Sequence, residues 1–303
     1  MNTPILFLIF NRPDKTQKVF DVIKQAKPKK LFIAADGPRS NRPADVQLCE
    51  ETRKIIKQID WDCDIKTLFR EHNLGCKKAV QSAIDWFFDY VEEGIILEDD
   101  CMPNLSFFPY CAELLDKFKN NEDIFIISGR NDNPIDEQYP YDYYFSKFEH
   151  IWGWATWKRS WKLYDREMKL LTPEFENNLT KKINNEKGVL HLLNAFHQTK
   201  DGNIDTWDHQ MRLTAFALNK YSIIPKYNLI QNIGFDTSAT HTKISNLAEH
   251  IQAHTIHTPL IHPPQIELNS KLEQLETDRL HIPLYKKLTN LSIALLKKLM
   301  NLK

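Results

Sequence analysis

The chain has 303 residues, enough for one large α/β domain or two ordinary ones, so a full core can form without disulfide or metal staples. Lys+Arg and Asp+Glu both number 40, and a formal charge of zero excludes a protein that coats nucleic acid; a charged ligand must be met by a local patch. With 42% hydrophobic and 11% aromatic residues but only 8 glycines and 15 prolines, collagen-like, disordered and low-complexity classes are excluded as well.

Residues 5–10 form a continuous β-branched and aromatic run ended by Asn11-Arg12-Pro13, and residues 16–26 place Val19, Phe20 and Ile23 at helical spacing, which predicts strand, turn and helix. The unit recurs. Residues 30–36 read as a strand stopped by Gly37-Pro38, with Val46, Ile55, Ile56 and Ile59 on a helical stripe after it. A strand over 64–69 precedes a helix over 75–91 carrying Val80, Ile84, Phe87 and Phe88, and a strand over 94–97 runs into Glu98-Asp99-Asp100. This alternation predicts an α/β fold with a mainly parallel, twisted, Rossmann-like sheet flanked by helices over roughly the first 100 residues.

A helix over 107–119, a strand over 124–128 and a Tyr/Pro loop over 134–144 follow. Next come a tryptophan cluster (Trp152, Trp154, Trp157, Trp161), a helix over 205–218 and a strand over 221–224. From residue 244 the pattern weakens to a tail, 283–303, with Leu284, Leu288, Leu291, Leu295 and Leu302 near one face and Lys286, Lys287, Lys297, Lys298 and Lys303 adding basic charge. Such a helix either lies on an anionic membrane surface or docks on the domain with its lysines in water. No run reaches the ~18 apolar residues of a membrane span, and no basic leader opens the chain. Five cysteines without a CxxC pair fit a reducing compartment. A cytoplasmic protein is expected, at most peripheral at the inner membrane face.

In parallel sheets ligands collect at the carboxyl ends of the strands. Glu98-Asp99-Asp100 stands at such an end, and three adjacent carboxylates are expensive to gather without a cation. Mn²⁺ or Mg²⁺, held by one or two carboxylates plus substrate phosphates, fits that need. The bland alternative is an ordinary acidic loop start. Arg12 suits phosphate through forked hydrogen bonds and Asp36 could accept from a base or ribose, although both also occur as turn residues. Lys77, opening a helix, reads as a phosphate contact or as a surface lysine. Asp208 reads as a general base or, with Asp205, as part of a helix cap. The tryptophans Trp154 and Trp157 read as a sugar-facing surface or as core. His250, His254, His257 and His262 lack the regular spacing of a metal site. There is no GxxxxGK[ST], GxGxxG or GxSxG motif, so glycine-rich phosphate cradles are absent.

Taken in order, several of these pieces resemble one family, the GT-A nucleotide-sugar glycosyltransferases, most closely N-acetylglucosaminyltransferase I and its bacterial relatives. The matching pieces run from about residue 5 to 242: Asn11-Arg12, Ala35-Asp36-Gly37, Glu98-Asp99-Asp100 followed by Pro103 and Phe107-Phe108, Ser128 with Asn131-Asp132-Asn133, Gly153-Trp154, and Trp207-Asp208 followed by Met211-Arg212. The resemblance implies a GT-A domain over 1–242, with a nucleotide-binding half (1–130) and an acceptor or catalytic half (131–242), and a C-terminal extension over 243–303. It implies that Arg12 contacts the nucleotide, Asp36 reads uracil, Asp100 binds the metal and Asp208 is the general base.

Asp99 joins the nucleotide contacts, while Glu98, Trp154, Trp157 and Trp207 fall on the sugar or acceptor side. The family's histidine ahead of the acidic strand has no match, and Lys77 lies near its place. Residues 232–242 resemble a loop closing over the diphosphate, with His241 as a phosphate or metal contact. The function implied is inverting, metal-dependent transfer from a UDP-sugar, such as UDP-N-acetylglucosamine, to a saccharide or lipid-linked acceptor in surface-polysaccharide synthesis. A non-catalytic saccharide-binding module is the alternative. Sugar-1-phosphate nucleotidyltransfer is disfavoured, because Asn11-Arg12-Pro13 holds no glycine-rich loop.

Overall fold

Alternation within short apolar strands builds the central sheet. In β1 (Ile5–Ile9) Ile5, Phe7 and Ile9 enter the core on one face while Leu6 and Leu8 enter the core on the other, the pattern of a strand covered by helices on both sides. The computed structural model describes residues 1–133, 138–183, 185–234 and 252–280. β2 (Lys30–Ala35) and β3 (Asp64–Phe69) lie to one side of β1 and β4 (Glu93–Glu98) to the other, all parallel. The helices α1 (Pro13–Ala26), α2 (Ala44–Lys54) and α3 (Cys76–Phe88) make the crossovers. α1 starts on Pro13, where the missing N–H has no helical partner to lose.

Beyond β4 the sheet becomes mixed. β5 (Cys101–Pro103) leaves it to pair antiparallel with β10 (Ile230–Asn232). After α4 (Phe107–Phe118) come β6 (Ile124–Ser128), β7 (Tyr143–Ser146) and β8 (Trp154–Trp157), which inserts antiparallel between β4 and β6. β9 (Tyr221–Pro225) runs parallel to β6 and antiparallel to β7, giving the order β3-β2-β1-β4-β8-β6-β9-β7. β7 begins at the last two residues of the expected loop and runs past it, and β8 falls within the tryptophan cluster.

The helices α5 (Lys158–Trp161), α6 (Pro173–Lys182) and α7 (Glu186–Lys200) lead to α8 (Asp208–Ala217). Thr172 and Asn185 cap α6 and α7 through their side-chain oxygens. These two helices bury Leu179, Val189 and Phe196 against Leu213 and Phe216 of α8. Residues 252–280, which the sequence groups with the C-terminal extension, return to the sheet. Ile256 and Leu260 join the core around β1, Leu268 bridges Phe145, and α9 (Ser270–Arg279) buries Leu272 against Tyr144 and Ile224. His241 and the basic stripe of 283–303 lie outside the described residues. No described helix is long and apolar enough to cross a membrane.

Candidate active site

The carboxyl ends of β1, β2, β3 and β4 open onto one cleft of ≈ 430 Å³. Crossing the sheet in strand order, it is lined by Arg70 after β3, Asp36 after β2, Arg12 after β1 and Glu98 to Asp100 at the end of β4; Trp152 and Asp205 to Asp208 complete the wall.

Asp36 is 8% exposed. Its Oδ1 accepts from the N–H groups of Gly37 at 2.9 Å and Leu74 at 3.0 Å, and its Oδ2 accepts from the Asn73 amide at 2.9 Å. Burial pushes the carboxyl above its usual value, while the backbone donors of Leu74 and Gly37 pull the other way. These bonds join the loop after β2 to the loop after β3, which approach so closely that a Cβ on Gly37 would run into the backbone of His72. The Leu74 N–H is shared with Oδ2 at 3.1 Å, so both oxygens of this cleft-lining carboxylate are engaged by the two loops. Beside it, Arg70 donates to Ser82 Oγ at 2.7 Å and has no carboxylate partner among the described residues.

Arg12 is held inside its own carboxylate cage. Its Nε and Nη2 fork onto Asp99, and its Nη1 donates to Asp100 Oδ2 at 2.9 Å. Burial works against its charge, but Asp99 and Asp100 outweigh burial and raise its pKa. Asp99, with its side chain 5% exposed, is thus the anchor of Arg12; Asp100, with its side chain 17% exposed, is the more open of the two to the cleft. Glu98 is pushed up to about 8 by burial and by the neighbouring Asp100 and Asp99. The ribbon of β5 and β10 brings Gly234 onto this triplet, where a Cβ would collide with the Asp100 carboxylate.

Asp208 lies at the start of α8, with Trp207 as the N-cap residue. Its Oδ1 accepts from Thr206 Oγ1 and from the His209 N–H at 2.9 Å. That fixes the carboxylate plane while the side chain lines the cleft. The capping expected of this segment falls elsewhere: Asp205 accepts the backbone N–H of Lys77 at 3.3 Å and so covers the N-terminus of α3. The Lys77 side chain does not line the cleft.

Trp154 and Trp157 do not line it either. β8 is flanked by strands on both sides, so its alternating side chains enter the two cores: Trp154 is fully buried and stacks on Trp207 at 5.7 Å, and Trp157 is buried on the other face with its indole N–H toward Leu115 O at 3.3 Å. Trp152 and Trp207 are the indoles on the cleft wall. Arg70 and Asn73 fall in the stretch directly after a strand, where the sequence directs the search for ligand contacts; Trp152 and Arg39 were missed as cleft residues, and nothing in the spacing separates Trp152 from its neighbours.

Among the described residues no three His, Cys, Asp or Glu side chains stand within reach of one ion. The donor set nevertheless fits a hard divalent cation, because Asp100 presents carboxylate oxygen to the cleft and Mg²⁺ or Mn²⁺ commonly completes its shell with ligand phosphate and water.

No family model and no curated protein sequence matches this chain. Solved structures with a partial likeness include HddC from Yersinia pseudotuberculosis, at 9% identity and TM-score 0.28 over 42% of this chain. A second is the 4-diphosphocytidyl-2C-methyl-D-erythritol synthase of Anaerococcus prevotii, at 11% identity and TM-score 0.32, covering 56% of this chain and 78% of that one. A third is mouse xyloside xylosyltransferase 1 in its apo form, at 11% identity and TM-score 0.36, covering 72% and 82%. The match spans 57% of the length of HddC. Likenesses of this size assign no chemistry; that rests on the side chains of the cleft.

Proposed function

We propose that this chain is an inverting glycosyltransferase that moves a sugar from a UDP-sugar, UDP-N-acetylglucosamine being the leading donor, to a hydroxyl of a saccharide or lipid-linked acceptor. One observation carries the reading: a single cleft at the carboxyl ends of parallel strands joins Arg12, Asp36, Glu98, Asp100 and Asp208.

Each residue has a role that its surroundings allow. Asp36 takes the N–H of the base on Oδ2, in exchange for the share of the Leu74 N–H that Oδ1 also accepts. Arg12, its plane set by Asp99, turns Nη1 toward a phosphate oxygen. Asp100 would hold Mn²⁺ or Mg²⁺, which when bound supplies Lewis-acid neutralisation of charge on the leaving diphosphate. Glu98 and Trp207 border the sugar. Asp208, with Oδ1 engaged, offers Oδ2 to the acceptor hydroxyl and takes its proton as that oxygen attacks the anomeric carbon and the bond to the diphosphate breaks. Attack from the face opposite the diphosphate inverts the centre, so one base suffices and no covalent nucleophile is needed. The basic stripe of 283–303 would hold the chain at the cytoplasmic membrane face, where surface polysaccharides are assembled on lipid-linked acceptors.

The test is Asp208→Asn. The variant should bind UDP-N-acetylglucosamine with Mn²⁺ as the parent does in calorimetry and lose transfer by about 10²–10⁴-fold. Unchanged turnover removes the base assignment. Failure of any UDP-sugar with Mn²⁺ to raise the melting temperature would instead favour a saccharide-binding module.

A further inference from the structure

We propose that Trp152 is the platform on which the transferred sugar ring stacks, and that α9 positions its indole through Asp132 and Arg130. This inference rests on the glycosyltransferase reading and adds to it a sugar-contacting side chain and the element that sets it.

The turn before β8 places the ring. Gly153, at φ +62°, bends the chain into β8, and a Cβ on it would meet Leu97 of β4 and Ile230 of β10, so Trp152 stands beside the carboxyl end of β4 and its acidic triplet. The strands expected to hold the nucleoside lie on the other side of β4, because the order is β3-β2-β1-β4-β8. A sugar linked to a diphosphate at Asp100 therefore extends toward Trp152 and Asp208, both of which line the cleft. Of the two indoles on that wall, Trp207 is 3% exposed and already stacked on Trp154, whereas Trp152 is half-buried.

A chain of planar ion pairs fixes the ring. The Arg130 guanidinium carbon stands 3.4 Å from the Trp152 ring centroid, a distance reached only by stacking on the face. Arg130 is itself forked onto Asp132, Nε to Oδ1 at 2.6 Å and Nη2 to Oδ2. Asp132 is tied to α9: Arg279 donates through Nη2 to its carbonyl oxygen and sets Nη1 3.4 Å from its Oδ2. A second tether runs beside the first, from Glu276 of α9 to His150 Nε2 at 3.1 Å and to the Asn133 amide at 2.7 Å. The segment carrying Ile151 and Trp152 is thus fixed at His150 and again at the ring. Stacking on the C–H face of a pyranose demands this kind of control, since the gain depends on the orientation of an aromatic plane.

The experiment measures the affinity of the full chain for UDP, UDP-glucose and UDP-N-acetylglucosamine with Mn²⁺ by calorimetry. Trp152→Ala should weaken the UDP-sugars by about three- to tenfold and leave UDP unchanged. Arg279→Gln and Arg130→Lys should weaken the UDP-sugars in the same direction, again sparing UDP, and Arg279→Lys should recover part of the loss. If Trp152→Ala binds UDP and the UDP-sugars like the parent, or if all ligands weaken together, the stacking role is overturned. If Arg279→Gln and Arg130→Lys leave the UDP-sugar affinity intact, the positioning role of α9 is overturned. If the parent chain binds UDP but no UDP-sugar more tightly than UDP, the platform is overturned while the nucleotide site stands; if it binds neither, the glycosyltransferase reading falls and this inference with it.

Discussion

Asp36 and Asp208 are both acids in the same cleft, yet their surroundings assign them different duties. Asp36 is fastened by Gly37, Asn73 and Leu74 and holds two loops together. An amide in its place would turn N–H hydrogens toward backbone N–H groups, so Asp36→Asn should cost about 1–3 kcal/mol of stability, read as a lower urea midpoint with unchanged slope, and should weaken UDP binding with it. Among the described residues, Asp208 is held by Thr206 and its neighbouring amide at the mouth of a helix. Both acids were legible in the sequence because of where they stand, one directly after an apolar strand and the other at the start of a helical stripe. The tryptophans were not, because spacing along a strand gives two faces without saying that both are covered; β8 has β4 and β6 beside it and helices above and below, so Trp154 and Trp157 are core.

At the scale of elements, α9 is the least apolar helix to take a core position, and it docks through charge. Burial alone would raise the Glu276 carboxyl, but His150, Arg279 and Arg212 outweigh it and hold the pKa at about 2, against an ordinary 4.5. The folded chain therefore binds this proton more weakly than the unfolded chain does. The stability it contributes is whole above about pH 4.5 and fades as the pH falls toward 2. Urea midpoints taken from about pH 5 down to about pH 2.5 should fall less steeply for Glu276→Gln than for the parent, though from a lower starting value, because the variant leaves His150 and Asn133 with a neutral partner. Hydrophobic periodicity could not reveal such a helix, since only Leu272, Glu276 and Thr277 along it are buried. The helices α1, α3 and α4, by contrast, carry apolar stripes that place them near their observed bounds.

Over the whole molecule, the first half was legible because β1, β2 and β4 are built on continuous apolar runs and each crossover is a helix of ordinary length. The second half was less so, because β7 and β8 are four residues each, too short for a period to declare itself, and their order in the sheet differs from their order in the chain. The expected boundary at residue 242 can be tested directly. Ile256, Leu260 and Leu272 are each less than 9% exposed, and burial of three such side chains contributes about 5–9 kcal/mol, comparable with the roughly 5–15 kcal/mol that holds an ordinary domain folded. A chain ending at 242 should therefore melt far below the full chain, or not fold, when followed by circular dichroism.

The sheet also has an outer margin. β3 closes the strand order on one side, and its outward row of amides and carbonyls has no partner strand among the described residues. Ile65 is 40% exposed there and Tyr90 54%, a combination that invites a second chain to add edge to edge. Lys66, its ammonium 4.7 Å from the Tyr90 ring, and the exposed Asp64 put charged side chains on that margin, which a second strand would have to strip of water before the protein could grow into ribbons.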